Sequence, residues 1–129
     1  MKPEFTPPAG AVALEPLFAD IVQRAGVLKT EVDAARGGAE LPGDFTRRIS
    51  ELAELDMQGH RTLASRGLDG DLKCILRGIA EDLPVKLAAL RLAQTEAARD
   101  EALAEMSYLL NDNVEVITTP PPASATPST

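Results

Sequence analysis

The chain has 129 residues, enough for one domain with a modest core. A formal net charge of −7 leaves no cationic footprint for non-specific binding to nucleic acid or to an anionic membrane. With 3% aromatic residues, no Trp and one Cys, no intrachain disulfide can form, and the core must come from Leu, Ile, Val and Ala, which suits packed helices better than a sandwich or barrel.

Residues 1–13 carry Pro3, Pro7, Pro8 and Gly10 and read as an irregular leader without the apolar run of a signal peptide. No stretch of the chain approaches ~18 apolar residues, so no membrane span is expected, and the simplest reading is a cytoplasmic protein of bacterial type. Pro16 suits the first turn of a helix, where a missing N–H costs nothing. Leu14, Phe18, Ile21, Ala25, Leu28, Val32 and Ala35 then form one apolar stripe, which predicts a first helix from about 15 to 36. Gly37-Gly38 ends it, and the short link to Asp44 favours an antiparallel neighbour.

Asp44 is a reasonable N-cap for a second helix that runs to about Gly67. Phe45, Ile49, Leu52 and Leu63 share one of its faces. At about 100° per residue, Asp56 falls in the middle of that stripe, Gly59 falls on it, and His60 lies at its edge. An acid, a glycine and the only histidine therefore interrupt an apolar face. Desolvating a carboxylate is costly unless it is paired or wet, so such a face is either open to water or built to meet something.

A third helix begins near Asp69 to Asp71, with Leu72, Leu76, Ile79 and Leu83 on one face. Pro84 must kink or break it. In one case residues 70–110 form a single long helix that overhangs the others and leaves a seam for self-association. In the other, Pro84 opens a fourth helix that carries Leu87, Leu90, Ala97, Ala104 and Tyr108 and ends near Leu110, with Asn111-Asp112-Asn113 as terminator. Val114 to Thr119 is β-branched and reads as extended, and the Pro/Ser/Thr-rich end as disordered. The expected fold is all-α: an antiparallel bundle of three to four helices over 14–112, with a leader over 1–13 and a tail over 113–129.

Asp56 and His60 stand one turn apart, so a carboxylate could hold the imidazole and raise its pKa. The plainer alternative is a polar pair at the wet rim of the bundle or a contact inside it. Other candidates are weaker. Cys74 lies off the apolar face of the third helix. One Cys and one His cannot make a zinc site without carboxylates. The GLDGD stretch lacks the lysine and the preceding strand of a phosphate loop. No cofactor signature is legible. Arg47, Arg48, Glu96, Asp100, Glu101 and Glu105 read as solvated faces.

The string Leu55-Asp56-Met57-Gln58-Gly59-His60-Arg61 resembles the active-site helix of the CheZ/CheT-type chemotaxis phosphatases. There an acid is followed by three residues ending in Gly and then by Gln-Arg, on a long helical bundle. Asp56, Gly59 and Arg61 correspond, and His60 stands where the family has Gln. In that family the Asp contacts the active-site lysine of a phosphorylated response regulator, and the Gln positions the attacking water.

The resemblance implies Asp56 and His60 as the reacting pair, with Leu52, Leu55, Met57, Gly59, Arg61 and Leu63 as partner contacts around them. Gly59 would admit the partner's backbone, so Gly59→Ala is expected to stabilise the free protein and weaken the complex. With His60 at the glutamine position, the expectation is an adaptor that keeps the face more than the reaction. The functional expectation is thus a small regulatory or adaptor protein of chemotaxis or two-component signalling, whose partner is another protein, possible self-association included, and neither nucleic acid nor membrane. The rival is a helical chaperone or secretion/assembly factor that holds a client on an apolar seam. An enzyme of other chemistry ranks last, because no further set of catalytic groups is legible.

Overall fold

A computed structural model describes residues 11–67 and 70–119 of the chain. The first ten residues of the leader, the Pro/Ser/Thr-rich end and the middle of the second link lie outside the described residues. After a 3₁₀ turn at Ala11–Leu14 come four α-helices: α1 (Pro16–Arg36), α2 (Phe45–Ser65), α3 (Asp71–Leu92) and α4 (Glu96–Thr118). No strand occurs among the described residues.

Sequence chemistry sets most of the boundaries. Pro16 opens α1 in its first turn. Gly38, at φ 113°, lets the chain turn back at the other end, where the N–H of Ala39 reaches Ala34 O at 3.0 Å. Asp44 precedes α2 as expected, but its side chain makes no cap bond. Its carboxylate turns instead to Arg47 at 3.4 Å and Arg48 at 3.0 Å. Thr95 is a true N-cap, its hydroxyl accepting from Ala98 N at 3.0 Å.

The helices form a ring in which each packs on its sequence neighbours and α1 closes on α4. The α1–α4 and α2–α3 pairs pack most extensively, and α1 and α2 touch least. Their antiparallel course shows in the cross-links of α1 and α2, where Arg24 pairs with Glu51 and Glu31 with Arg48. α1 and α3 are therefore diagonal, as are α2 and α4. Leu, Ile, Val, Phe and Met fill the interior, among them Phe18, Ile21, Leu52, Leu76, Met106 and Leu110, all fully buried.

Two boundaries differ from the sequence reading. Pro84 neither ends α3 nor starts α4. It sits inside α3 on an exposed turn, and the helix carries Leu87 and Leu90 into the core before stopping at Ala93. The single helix over 70–110 is thus replaced by two helices of 22 and 23 residues, each close in length to α1 and α2. In addition, α4 runs through Asn111-Asp112-Asn113 and Val114 to Thr118, where an extended segment was expected. Tertiary burial overrides β-propensity there, because Asn113 and Ile117 fall on the inward stripe and are fully buried. α4 thus continues six residues beyond residue 112, to Thr118.

Candidate functional site

Asp56 occupies the centre of the bundle with 0% exposure. The apolar stripe of α2 faces inward, so a carboxylate on that stripe is carried into the core. There it meets Asn113 of α4, whose Nδ2 donates to Asp56 Oδ1 at 2.8 Å. Asp56 Oδ2 and Asn113 Oδ1 are both buried without a partner. Burial pushes the Asp56 carboxyl up to about 7, and the Asn113 bond pulls it the other way.

Asp56 and His60 are not bonded to each other. The imidazole turns toward α3, with Nδ1 2.7 Å from the carbonyl of Lys73. A carbonyl can only accept, so Nδ1 carries a proton and donates it. His60 thus ties α2 to the first turn of α3 and does not orient a carboxylate.

Gly59 also faces inward. A Cβ at this position would lie 3.1 Å from Phe18 Cε1 and 3.2 Å from Leu76 Cδ1. The glycine therefore admits side chains of α1 and α3, and its close approach is internal to the bundle. Of the remaining residues expected at a partner face, Leu52 and Leu63 are core residues, Leu55 and Met57 are half-buried, and Arg61 is exposed. Leu52, Asp56, Gly59 and Leu63 are accordingly withdrawn from any surface of the closed bundle. The sequence pattern located a real polar centre, and the packing turns it inward.

Asn113 is masked in the sequence by its neighbours, because Asn111-Asp112-Asn113 has the composition of a helix terminator. The signal was available: Met106, Leu110, Asn113 and Ile117 recur at helical spacing, so Asn113 interrupts the α4 stripe as Asp56 interrupts that of α2.

The outer face of α4 is different in character. Glu101, Glu105, Tyr108, Asp112 and Glu115 follow one another at three- and four-residue steps along it. Tyr108 is 70% exposed, and with Ala104 and Leu109 it lines a groove between α3 and α4. Lys86 of α3 is the one cation lining that groove, paired to Glu105 at 3.1 Å and to Asp82 at 4.0 Å. The Asp112 carboxyl is pushed up by burial and by the neighbouring Glu115 charge. Such a groove offers an aromatic ring and several carboxylates to a ligand with an apolar side and positive charge.

Among the described residues, no His, Cys, Asp or Glu cluster of metal-binding size converges, and Cys74 is a free, exposed thiol. No helix of the described chain is long and apolar enough to cross a membrane. Comparisons with family models, with curated proteins and with solved structures found no match for the chain.

Proposed function

We propose that this protein is a small regulatory or adaptor module that works by protein contact, and that the α3–α4 groove is its docking surface for a basic amphipathic segment of a partner. The observation that carries this reading is Tyr108, a large aromatic residue 70% exposed in a groove that also carries the carboxylates of Asp82, Glu101, Glu105 and Asp112. A partner lysine or arginine stacked on the ring gains a cation–π contact, while the acidic rim steers it and sets its register. The partner's apolar side would cover Ala104 and Leu109. The acidic balance of the whole chain, −7, favours the same class of partner.

A CheZ/CheT-like role through Asp56 and His60 would require the bundle to open first, since Asp56 is fully buried and His60 is bonded to Lys73. The outer groove needs no such opening, and it is the reading the geometry supports better.

The test uses two labelled helical peptides of equal length, one built from Lys and Leu and the other from Glu and Leu. The basic peptide is expected to bind with salt-dependent affinity and to shift amide resonances around Tyr108. Tyr108→Ala and Glu101→Lys should each weaken binding about tenfold, the scale of a central aromatic or charge contact. Equal binding of both peptides would favour the client-holding chaperone. Shifts centred away from α4, or insensitivity to both substitutions, would remove the groove from the function.

A further inference from the structure

We propose that Asp56 is held in the core as the neutral acid, with its Oδ2–H donated to Oδ1 of Asn113, so that acid and amide close a two-bond ring across the α2–α4 diagonal. The argument begins with a count of donors. An ionised Asp56 has only acceptors, and the Asn113 amide oxygen is also an acceptor. The Asn113 Nδ2 bond to Oδ1, at 2.8 Å, satisfies one oxygen of the pair. The two oxygens left over, Asp56 Oδ2 and Asn113 Oδ1, are both buried and both without a donor. One added proton serves both at once. Without it, two buried acceptors stay unsatisfied, which is the costly condition for polar groups in a core.

Among the described residues, no cation bonds either of these oxygens. On α1, Arg24 is engaged by Asp20 and Glu51, and Lys29 by Asp33. On α2, Arg48 is held by Glu31 and Asp44, and His60 donates to the Lys73 carbonyl. On α3, Arg77 pairs with Glu81, and Lys86 with Asp82 and Glu105. On α4, the titratable neighbours of Asn113 are the acids Asp112 and Glu115. None of these charges acts on Asp56, whose carboxyl responds only to burial and to the Asn113 amide.

The ring has a structural task. α2 and α4 lie on opposite corners of the ring, where their backbones do not approach each other closely. Two directed bonds at the centre fix their register, which interchangeable Leu and Ile contacts do poorly.

A pH dependence follows. The Asp56 carboxyl stands at about 7 in the fold against an ordinary 3.8. Between these values the unfolded chain has released its proton while the fold retains it, so the unfolded state binds fewer protons and stability falls as pH rises. The fall is about tenfold in the folded-to-unfolded ratio per pH unit and levels off above about pH 7. Above that point the carboxylate favours any state in which Asp56 meets water, so the buried face of α2 opens more often in mildly basic solution than in mildly acidic solution.

Two measurements on the full chain decide the matter. The first needs no variant that might fail to fold. In wild type labelled with ¹³C at aspartate Cγ, one carboxyl should titrate near pH 7 while the bundle remains folded. If every carboxyl titrates in the ordinary range near 4, the proposal is wrong. The second is Asp56→Asn, whose Nδ2–H can donate to Asn113 Oδ1 and complete the ring without a titrating proton. Between pH 5 and pH 8 the wild type should lose about a hundredfold in its folded-to-unfolded ratio relative to this variant. Asp56→Asn should be the more stable of the two at pH 8. A variant less stable than wild type at pH 8, with the same pH slope, would show that the ionised carboxylate is the native form and overturn the ring.

Discussion

Alanine at Gly59 sets two opposing effects against each other, and the distances decide between them. In a helix interior, alanine is favoured over glycine by about 1 kcal/mol. Gly26 in α1 and Gly78 in α3 have nothing within 4 Å of an added Cβ. Gly26→Ala and Gly78→Ala should therefore each stabilise the protein by up to about 1 kcal/mol. At Gly59 the added methyl would lie 3.1 Å from Phe18 Cε1 and 3.2 Å from Leu76 Cδ1, inside ordinary carbon–carbon contact. Phe18 and Leu76 are both 0% exposed, so neither can retreat into solvent. Overpacking of this kind costs about 1–3 kcal/mol, which outweighs the propensity gain. Gly59→Ala should lower stability by about 1 kcal/mol and stand about 2 kcal/mol apart from the other two variants. Urea unfolding followed by far-UV circular dichroism resolves such a gap, and the absence of Trp makes the helix signal the natural probe. Stabilisation at Gly59 equal to that at Gly26 and Gly78 would refute the packing argument and restore the outward-facing glycine expected from the sequence.

Pro84 lies on an exposed turn inside α3, where it leaves the Ala80 carbonyl without its helical donor. Pro84→Ala should raise stability by about 1–3 kcal/mol in the same assay, and a loss would mean that the proline shapes a bend the bundle requires. Ile117 is fully buried two turns beyond the point where the sequence suggested that α4 ends. Ile117→Ala should cost about 2–5 kcal/mol, and a thermal unfolding midpoint unchanged from wild type would undock the last turns of α4.

The inward stripes of α1 and α2 were legible because each is continuous and of helical period. Phe18, Ile21, Ala25, Leu28, Val32 and Ala35 are all buried as expected, as are Phe45, Ile49, Leu52 and Leu63. Leu14, read as the first member of the α1 stripe, is 86% exposed, because it precedes the helix and has no helical phase. The α4 stripe differs from the expected one for a related reason. Leu87 and Leu90 belong to α3, and the turn at Ala93–Thr95 resets the helical phase. Extending their period across the turn selects Ala97, Ala104 and Tyr108, whereas the buried face is Leu103, Met106, Leu110 and Ile117. Proline is the stronger stop signal in the sequence, yet Pro84 is accommodated at an exposed position inside α3, and a threonine cap with no proline near it makes the break.

The candidate site was half legible. Periodicity placed Asp56 and Gly59 on a stripe, but a stripe does not say whether it faces a partner molecule or the rest of the chain. That answer depended on Asn113, 57 positions further along the chain, which a local motif cannot reveal.

The order of helices around the ring also bears on how the chain is made. The largest partner of α1 is α4, the last of the described helices, and of the two α-helices that pack on α1 its immediate successor α2 covers it less. Roughly eighty residues separate the end of α1 from the end of α4, on the order of 4–16 s of synthesis at typical ribosomal speeds. Throughout that interval the α2–α3 hairpin can form from neighbouring segments, while the stripe from Phe18 to Val32 waits for its cover. The nascent chain therefore presents its own first helix as a sticky strip until Ile117 has left the exit tunnel. A released chain truncated before α4 should be a substrate for holdase chaperones, and the 129-residue chain should not.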